Sequence, residues 1–370
     1  MEPITLGLIG AGAIAGAHLR AATQVPHAVR VAALAEPNPA NLQRQSARFG
    51  ITRTYAQVDE LLAAPDIEGV IISTPNDTHA SLAIAAAKAG KHVLVEKPMA
   101  CSLVECQAMM AAARHARVQL MVAQCQRYDG HHRALKGLID RGELGTLRSA
   151  RIESMQNAAA VFGPEHWLYD GQRAGGGIVI SVAIHKIDLL RYLVGNVASV
   201  RAECRTHNPW FRNGAEDLAL ATLKLANGAM AQMYASWTVH RLRYSENFML
   251  FGDRGTSHSI PPTEVQMGPP CVACAAEAPA APPGWAGQFG GFRQVEPEPG
   301  MLADSFANQL AHFAECCRSG RQSISSAQDN YDTMATVIAI YQSARTGQEV
   351  QVQQYVQSPA GPTGNSPDGA

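Results

Sequence analysis

The sequence predicts an α/β fold in two parts: a doubly wound parallel sheet at the amino terminus and a second α/β domain with a largely antiparallel open sheet. Short apolar runs alternate with helical segments up to residue 123, and a glycine-rich turn directly follows the first run. Beyond residue 124, five runs of β character follow with few helices between them. We therefore divide the chain into a first domain over 1–123, a second over 124–357 and a tail over 358–370.

The first element is a strand over residues 4–9, an almost wholly apolar run that suits a strand buried on both faces of a parallel sheet. The next six residues, GAGAIA, match G-x-G-x-x-G/A. Gly10 permits a tight turn, Gly12 leaves room for a pyrophosphate, and Ala15 lets the next helix lie close to the strand. We therefore predict a Rossmann-type dinucleotide site at Gly10, Gly12, Ala13 and Ile14. A glycine turn without a ligand is the alternative.

A second apolar run over 29–35 ends at Glu36, which lies 24 residues after Gly12. This spacing is close to that of the carboxylate that binds the adenosine ribose hydroxyls in such sites. A carboxylate at this position repels a 2′-phosphate, so the sequence favours NAD over NADP.

The alternation continues with a short strand or turn and a short helix over 55–62, and with strands over 69–73, 92–95 and 118–123. Helices are predicted over 40–49, 78–89 and 102–116, the first two ended by Gly50 and Gly90. Cofactors bind beyond the carboxyl ends of the strands in such sheets. Segments 10–15, 74–79 and 96–98 are predicted to lie at this edge.

The second domain begins with a helix over 131–141. Its β runs cover 146–155, 199–206, 217–225, 230–239 and 247–252, and Asn227-Gly228 is a strong signal for a hairpin. Helices are predicted over 178–194, 304–318 and 327–345. Residues 261–299 are rich in Pro, Ala and Gly and are predicted to form a surface insertion, and 358–370 has the composition of a disordered tail.

Composition excludes several functional classes. The 370 residues are 46% hydrophobic and 16% charged with a net charge of −1, which leaves no basic field for nucleic acid or for a membrane surface. No apolar run is long enough to span a membrane, and we expect no signal peptide because the predicted first strand begins at residue 4. Eight scattered cysteines favour a reducing cytoplasm. Cys271 and Cys274 could form half of a zinc site, but a second pair is not evident, so we predict no metal.

Glu96-Lys97-Pro98 ends a buried strand beside the predicted cofactor cleft. The Lys97 ammonium could hold a substrate hydroxyl or lower its pKa. Proline after lysine allows a cis peptide bond, which would fix the direction of the ammonium. A surface lysine on a turn is the alternative.

A glycine-rich segment, residues 175–177, precedes a helix that carries Ser181, His185 and Asp188. Three glycines let the backbone pass close to a ligand, and the spacing places the three polar residues near one helix face. An imidazole with a pKa near neutrality can accept a hydroxyl proton while hydride leaves the same carbon. The alternative is a core histidine among apolar neighbours.

These motifs together resemble the Gfo/Idh/MocA oxidoreductases, the family of glucose-fructose oxidoreductase and inositol dehydrogenase. The resemblance runs from residue 4 to about 352 outside the insertion and rests on five motifs in order: GAGAIAGAH, STPNDTHA at 73–80, VEKPMA at 95–100, the GGG…H..D helix and SARTG at 343–347. It implies a Rossmann domain followed by an α/β domain whose open sheet often makes oligomer contacts.

The resemblance also implies residue roles. Lys97 would orient the substrate and His185 would be the acid/base. The nicotinamide side would be bound by residues of the second and third motifs: Ser73, Thr74, Pro75, Asn76, His79, Glu96 and Lys97.

Two departures from the family pattern fall in the expected substrate pocket. Ser181 stands where the family usually has aspartate, and residues 124–128 read QCQRY where an asparagine or histidine often precedes the Arg-aromatic pair. The substrate-binding residues implied here are Lys97, Arg127, Tyr128, Trp167, Ser181 and His185. Trp167 is equally well explained by core packing.

The sequence thus predicts an NAD-dependent oxidoreductase acting on a secondary alcohol or ketone of a sugar, inositol or related polyol. It is expected to be a cytoplasmic homodimer or homotetramer that assembles through its second sheet. A glycoside hydrolase or lyase that uses a transient hydride shuttle is the first alternative, because Ser181 lacks a charge. A non-enzymatic NAD-binding sensor is the second.

Overall fold

The computed structural model describes residues 2–239, 244–259, 271–275 and 293–356. Its first sheet has six parallel strands in the order β3-β2-β1-β4-β5-β6. The strands are β1 (Ile4–Ile9), β2 (Val29–Ala35), β3 (Thr54–Tyr55), β4 (Gly69–Ile72), β5 (His92–Glu96) and β6 (Leu120–Ala123). The helices between them are α1 (Ala13–Gln24), α2 (Pro39–Phe49), α3 (Val58–Leu62), α4 (His79–Lys88) and α5 (Leu103–Ala116). The predicted doubly wound parallel sheet is confirmed.

Strand β1 is the centre of this sheet. All six of its residues are buried, as the apolar run predicts. It pairs with β2 on one side and with β4 on the other, so the chain order reverses beside it. The glycine turn that follows β1 therefore lies at the topological switch point, where ligands bind in open α/β sheets.

The second sheet has nine strands in the order β14-β13-β12-β11-β7-β10-β9-β8-β15. The strands are β7 (Leu147–Met155), β8 (Val197–Arg205), β9 (Leu218–Leu225), β10 (Met230–Ser236), β11 (Ser245–Gly252), β12 (Gly255–Ser259), β13 (Cys271–Ala275), β14 (Arg293–Gln294) and β15 (Val350–Gln351). Only β7 and β10 pair in parallel among these strands, so the prediction of a largely antiparallel sheet is confirmed.

The hairpin between β9 and β10 has the predicted turn. Gly228 has a φ of +88°, a value that glycine adopts without steric cost, and its N–H donates to the Leu225 carbonyl at 3.0 Å. The Asn227 side chain accepts from Ala229 N at 3.1 Å and so supports the same turn.

The helices of this part are α6 (Gly130–Asp140), α7 (Gly171–Ala174), α8 (Ile184–Leu193), α9 (Ser305–Ser319), α10 (Ala327–Thr346) and α11 (Gln353–Val356). The predicted helix over 178–194 is divided, because a π-helix over Val179–Ala183 precedes α8. Within the insertion, β13 and β14 were not predicted. Residues 261–270, 276–292 and 357–370 and the side chains of Cys271 and Cys274 lie outside the described structure.

Helix α9 returns to the first sheet and packs on α1. Its apolar residues Phe306, Leu310 and Phe313 are at most 5% exposed and share a core with Leu8 of β1 and Leu19 of α1. In the described part of the chain no helix is long and apolar enough to cross a membrane.

Candidate active site

A cavity of about 690 Å³ lies at the carboxyl ends of β1, β2 and β4. Eight of the predicted cofactor residues line it together: Gly10, Gly12, Ala13, Ile14, Glu36, Ser73, Thr74 and Pro75. Trp167, predicted on the substrate side, also lines this cavity, as do Phe162 and His166. Aromatic residues of the segment 162–167, which follows β7, thus line the cavity together with the predicted cofactor residues.

Glycine is required at Gly10 and at Gly12 of the turn for different structural reasons. Gly10 has a φ of +89°, and an added Cβ would lie 2.7 Å from the Ser73 carbonyl oxygen. Gly12 has an ordinary φ of −70°, and an added Cβ would meet no protein atom within 4 Å. The open space over Gly12 faces the cavity at the start of α1, and a pyrophosphate fits there because the first N–H groups of a helix bind anions.

Replacing Gly12 by valine is therefore expected to weaken NAD binding by at least about tenfold while the melting temperature stays near that of the wild type. Gly10→Ala is the matched comparison, and it should lose about 1–2 kcal/mol of stability, because its φ is strained for any other residue. Calorimetric titration with NAD and thermal unfolding measure the two effects. Equal losses of stability in both variants would contradict this account.

Glu36 lines the cavity at the end of β2. Its Oε2 accepts from Ala11 N at 2.7 Å and its Oε1 from Asn38 N at 2.8 Å. The carboxylate therefore supports the glycine turn and the start of α2 at once. Its position at the end of β2 is the one that the sequence predicted for the ribose-binding carboxylate.

Asn76 and His79 lie behind the cavity. The Asn76 amide donates to the Ala174 carbonyl at 2.8 Å. The buried His79 ring lies between two carbonyl oxygens, that of Pro98 at 2.8 Å from Nδ1 and that of Thr74 at 3.0 Å from Nε2. Burial lowers the pKa of His79. Both side chains are at most 5% exposed, so they fix the loops after β4 and β5.

His18 is a partner that the sequence analysis missed. Its Nε2 lies 2.8 Å from Glu96 Oε1, and both residues are buried. Burial alone raises the pKa of Glu96, but the hydrogen bond from His18 and the nearby positive charges outweigh it, so the pKa of Glu96 is lowered. The signal for this pair was a histidine among the small and apolar residues of the buried face of α1.

Lys97 follows Glu96 directly, and the Lys97-Pro98 peptide bond is cis. The Lys97 ammonium donates to the Ser181 carbonyl oxygen at 2.7 Å. Because Ser181 lies in the π-helix, this contact joins the end of β5 to the helix that carries His185. The side chain is partly exposed, so it can also reach a ligand in the cleft.

His185 lies one residue into α8, and its Nδ1 is buried without a hydrogen-bond partner in the described structure. Burial lowers the pKa of His185 well below its usual 6.5, and the positive charges of Lys97 and Lys186 lower it further. The imidazole is therefore neutral at pH 7 and can accept a proton. The structure brings Lys97, Ser181 and His185 together.

Two further side chains have unused hydrogen-bonding capacity. The Ser181 hydroxyl and both amide atoms of Gln124 are buried without a partner among the described residues. Gln124 directly follows β6, the strand beside β5 in the sheet, so it lies next to the end of the strand that leads to Lys97. Buried polar atoms normally find a partner, which makes these groups candidates for contacts with substrate hydroxyls.

Arg127 and Tyr128 are differently placed. The Arg127 guanidinium is 2.6 Å from Asp188 Oδ2 and 2.5 Å from Asp329 Oδ2. The Tyr128 hydroxyl lies 3.1 Å from Ser323 Oγ. Both residues are 2% exposed. Their polar atoms already have protein partners, so the structure does not bring them to the Lys97 contacts. Asp188, near the His185 face by spacing, pairs with Arg127 instead.

The glycine-rich segment also differs from its prediction, which was close approach of the backbone to a ligand. A Cβ at Gly176 would lie 2.2 Å from the Tyr341 hydroxyl, and one at Gly177 would lie 1.8 Å from the Glu216 carbonyl oxygen. These glycines therefore let the backbone approach protein groups. Within the described ranges, no cluster of three or more His, Cys, Asp or Glu residues could hold a metal ion.

Comparison with known proteins gives two matches to family models. Residues 4–124 match the oxidoreductase family with an NAD-binding Rossmann fold, and residues 132–258 match the GFO/IDH/MocA C-terminal domain.

Several curated relatives are similar over most of the chain. An uncharacterized oxidoreductase of Bacillus subtilis, YrbE, is 31% identical over 72% of this chain and 77% of that relative. Levoglucosan dehydrogenase of Pseudarthrobacter phenanthrenivorans is 31% identical over 70% of this chain and 73% of its own length. Among solved structures, levoglucosan dehydrogenase in complex with NADH and levoglucosan is 27% identical, covers 95% of this chain and 100% of its own, and has a TM-score of 0.85.

Proposed function

Because the chain belongs to the Gfo/Idh/MocA family of NAD-binding oxidoreductases, we propose that it transfers a hydride between nicotinamide and a secondary alcohol or ketone carbon of a sugar, inositol or related polyol. The relatives include proteins named as dehydrogenases of levoglucosan, D-apiose and myo-inositol. One observation supports the proposal: the Lys97 ammonium binds the carbonyl of Ser181, four residues before His185, and its charge contributes to the low pKa of the His185 imidazole.

His185 is proposed as the acid/base. A neutral imidazole at pH 7 accepts the proton of the substrate hydroxyl in the oxidative direction and returns it in the reductive direction. Its low pKa keeps it in the proton-accepting form. Bound NAD supplies the hydride acceptor of the reaction.

Lys97 is proposed to orient the reacting oxygen. Its ammonium has three N–H donors, of which one binds the Ser181 carbonyl. The remaining donors are available to the substrate oxygen and stabilise the partial negative charge that forms on it as the proton leaves. Because the Ser181 contact fixes Nζ, this charge is in place before the reaction begins.

Substrate selection is proposed to rest on neutral groups. The Ser181 hydroxyl and the Gln124 amide each donate and accept, as sugar hydroxyls do. Trp167 lies at the cavity and offers an apolar face to a sugar ring. These neutral groups suit the hydroxyl groups of a polyol.

A panel of sugars, anhydrosugars and inositols assayed with NAD tests the function. Steady formation of NADH, read by its absorbance at about 340 nm, is the expected result for at least one polyol. Cleavage of a glycoside that requires NAD but produces no net NADH would instead support the hydride-shuttle alternative. That alternative rests on Ser181, which lacks the charge of the aspartate usual in the family. NAD binding without turnover of any panel member would support the sensor.

Glu36→Ala is expected to weaken NAD binding by about 10–100-fold, because the variant loses a charged acceptor for the ribose and the support of the Ala11 and Asn38 amides. NADP should then bind almost as well as NAD, since the carboxylate that repels the 2′-phosphate is gone. Calorimetric titration with both dinucleotides checks this, with the exposed Glu60→Ala as control. Retained discrimination against NADP in Glu36→Ala would contradict the assignment.

The second sheet is the proposed oligomer surface. Leu220, Met230, Met249 and Phe251 lie on one of its faces by their strand register and are 36–50% exposed. Exposed apolar side chains on a wide sheet favour self-association into a homodimer or homotetramer. Light scattering of the purified protein measures the mass. We further propose a cytoplasmic protein whose partners are small molecules rather than nucleic acid or membrane.

A further inference from the structure

Glu216, which lies two residues before β9, is a buried carboxylate outside the groups proposed for the reaction; it is 4% exposed. Its Oε2 accepts from Gly177 N at 2.7 Å and its Oε1 from Val179 N at 2.8 Å. Its backbone carbonyl accepts from Ile178 N at 2.9 Å. One residue therefore binds three successive N–H groups where the helix that carries Ser181 and His185 begins.

Tyr341 of α10 completes the arrangement. Its hydroxyl accepts from Ile180 N at 3.2 Å and donates to Glu216 Oε1 at 3.1 Å. The first four N–H groups of a helix have no partner within the helix, and here Glu216 and Tyr341 bind all four. The carboxylate also lies at the positive end of the helix dipole.

The N–H groups at the start of the helix thus bind residues that are remote in sequence from the helix. Glu216 directly precedes the second sheet, two residues before β9, and Tyr341 lies on the long helix α10. Gly176 and Gly177 allow this approach, because a side chain at either position would collide with Tyr341 or Glu216. Binding through two separate elements fixes the start of the helix relative to the second sheet.

The held turn leads directly to the reacting groups. Ser181 N donates to the Gly177 carbonyl at 3.1 Å, and the Ser181 carbonyl accepts from the Lys97 ammonium at 2.7 Å. A shift of the helix start therefore moves the oxygen that orients Lys97, and with it the beginning of α8, where His185 lies. Rates are sensitive to such shifts, since a displacement of about 1 Å can cost about 10²-fold.

We propose that Glu216, together with Tyr341, is a positioning residue that sets Lys97 and His185 by holding the amino-terminal turn of their helix. The inference rests on the proposed function for its catalytic consequence but not for its structural one. Both can therefore be measured separately.

Glu216→Gln and Tyr341→Phe are the test variants. The glutamine has the same size, but its N–H₂ group cannot accept a hydrogen bond. One of the two backbone N–H groups that donate to the Glu216 carboxylate therefore loses its acceptor. The phenylalanine removes only the hydroxyl. Tyr331→Phe is the matched control, because Tyr331 lies on the same helix and its hydroxyl binds Gln107 and the Tyr355 carbonyl, away from this turn.

Burial raises the pKa of Glu216 to about 7, although the N–H donors oppose this effect. Measurements are therefore made at about pH 8.5, where the carboxylate is ionised. The kcat of Glu216→Gln should fall by about 10–100-fold and that of Tyr341→Phe by about 3–10-fold, with KM for NAD within about threefold of the wild type. Tyr331→Phe should retain the wild-type kcat.

Hydrogen exchange of the peptide that contains residues 177–181 gives the second readout, which needs no substrate. We expect at least about tenfold faster exchange in Glu216→Gln and no change in Tyr331→Phe. Unchanged exchange in Glu216→Gln, or a kcat equal to that of the wild type, overturns the inference. If exchange is faster in Glu216→Gln but the wild type turns over no polyol, Glu216 still holds the start of the helix and the proposed function is rejected.

Discussion

Replacing His185 by alanine is expected to reduce kcat by about 10²–10⁴-fold, the usual cost of removing a general acid/base. The ring is partly buried, and the charge of Lys97 is near enough to lower its pKa. NAD affinity should stay within about threefold of the wild type, because His185 does not line the nucleotide cavity. Stopped-flow measurement of NADH formation with the substrate from the panel gives kcat, and calorimetric titration gives the affinity.

His115, exposed in the last turn of α5, is the matched control, and His115→Ala should have the wild-type kcat. His185→Asn keeps a polar side chain of similar size and separates loss of the base from loss of packing. In the wild type, activity should decline only as the pH falls well below 6.5, because the neutral imidazole is the active form and burial lowers its pKa. A kcat for His185→Asn close to that of the wild type would reject His185 as the base.

Replacing Lys97 by methionine is expected to reduce kcat by about 10²–10³-fold, since a preorganised positive donor to the reacting oxygen is lost. Methionine keeps the length and the apolar stem of the lysine side chain. Lys97→Arg should restore little of the activity, because a guanidinium is larger and differently shaped than the ammonium that fits against the Ser181 carbonyl.

The same variant has a second, independent signature. The Lys97 charge is one of the causes that lower the pKa of His185, after burial. Without that charge the imidazole gains protons more readily, so the acidic limb of the pH profile should move to higher pH in Lys97→Met. Lys88→Met, at an exposed position on α4, serves as control. An unmoved acidic limb would show that Lys97 and His185 do not interact.

The parts of the fold that the sequence predicted well are those with local causes. Apolar runs of four to seven residues gave β1, β2, β4 and β5, and Asn227-Gly228 gave the hairpin of β9 and β10. The edge strands β14 and β15 were missed because two residues are too few to show any periodicity. The π-helix was missed because the spacing of apolar residues does not distinguish it from the α-helix that continues it.

The site residues were likewise predictable where their cause is local in the sequence and were missed where it is not. The glycine turn, Glu36 and Lys97 lie at strand ends and were found from their positions in the chain. Arg127 was expected at the substrate because its motif lies near the pocket, but its charge pairs with Asp188 and Asp329, which are remote in sequence. Glu216 has no local signal at all, because its function depends on a helix that begins about 40 residues earlier.

The return of α9 to the first sheet has a consequence for synthesis on the ribosome. Phe306, Leu310 and Phe313 cover Leu8 and Leu19, so the amino-terminal core lacks its last layer until these residues leave the exit tunnel. Domains usually fold in order as they emerge. Here the core of the nucleotide-binding domain is completed only after most of the chain has been made, and a nascent product that stops before α9 exposes the apolar surface that α9 covers.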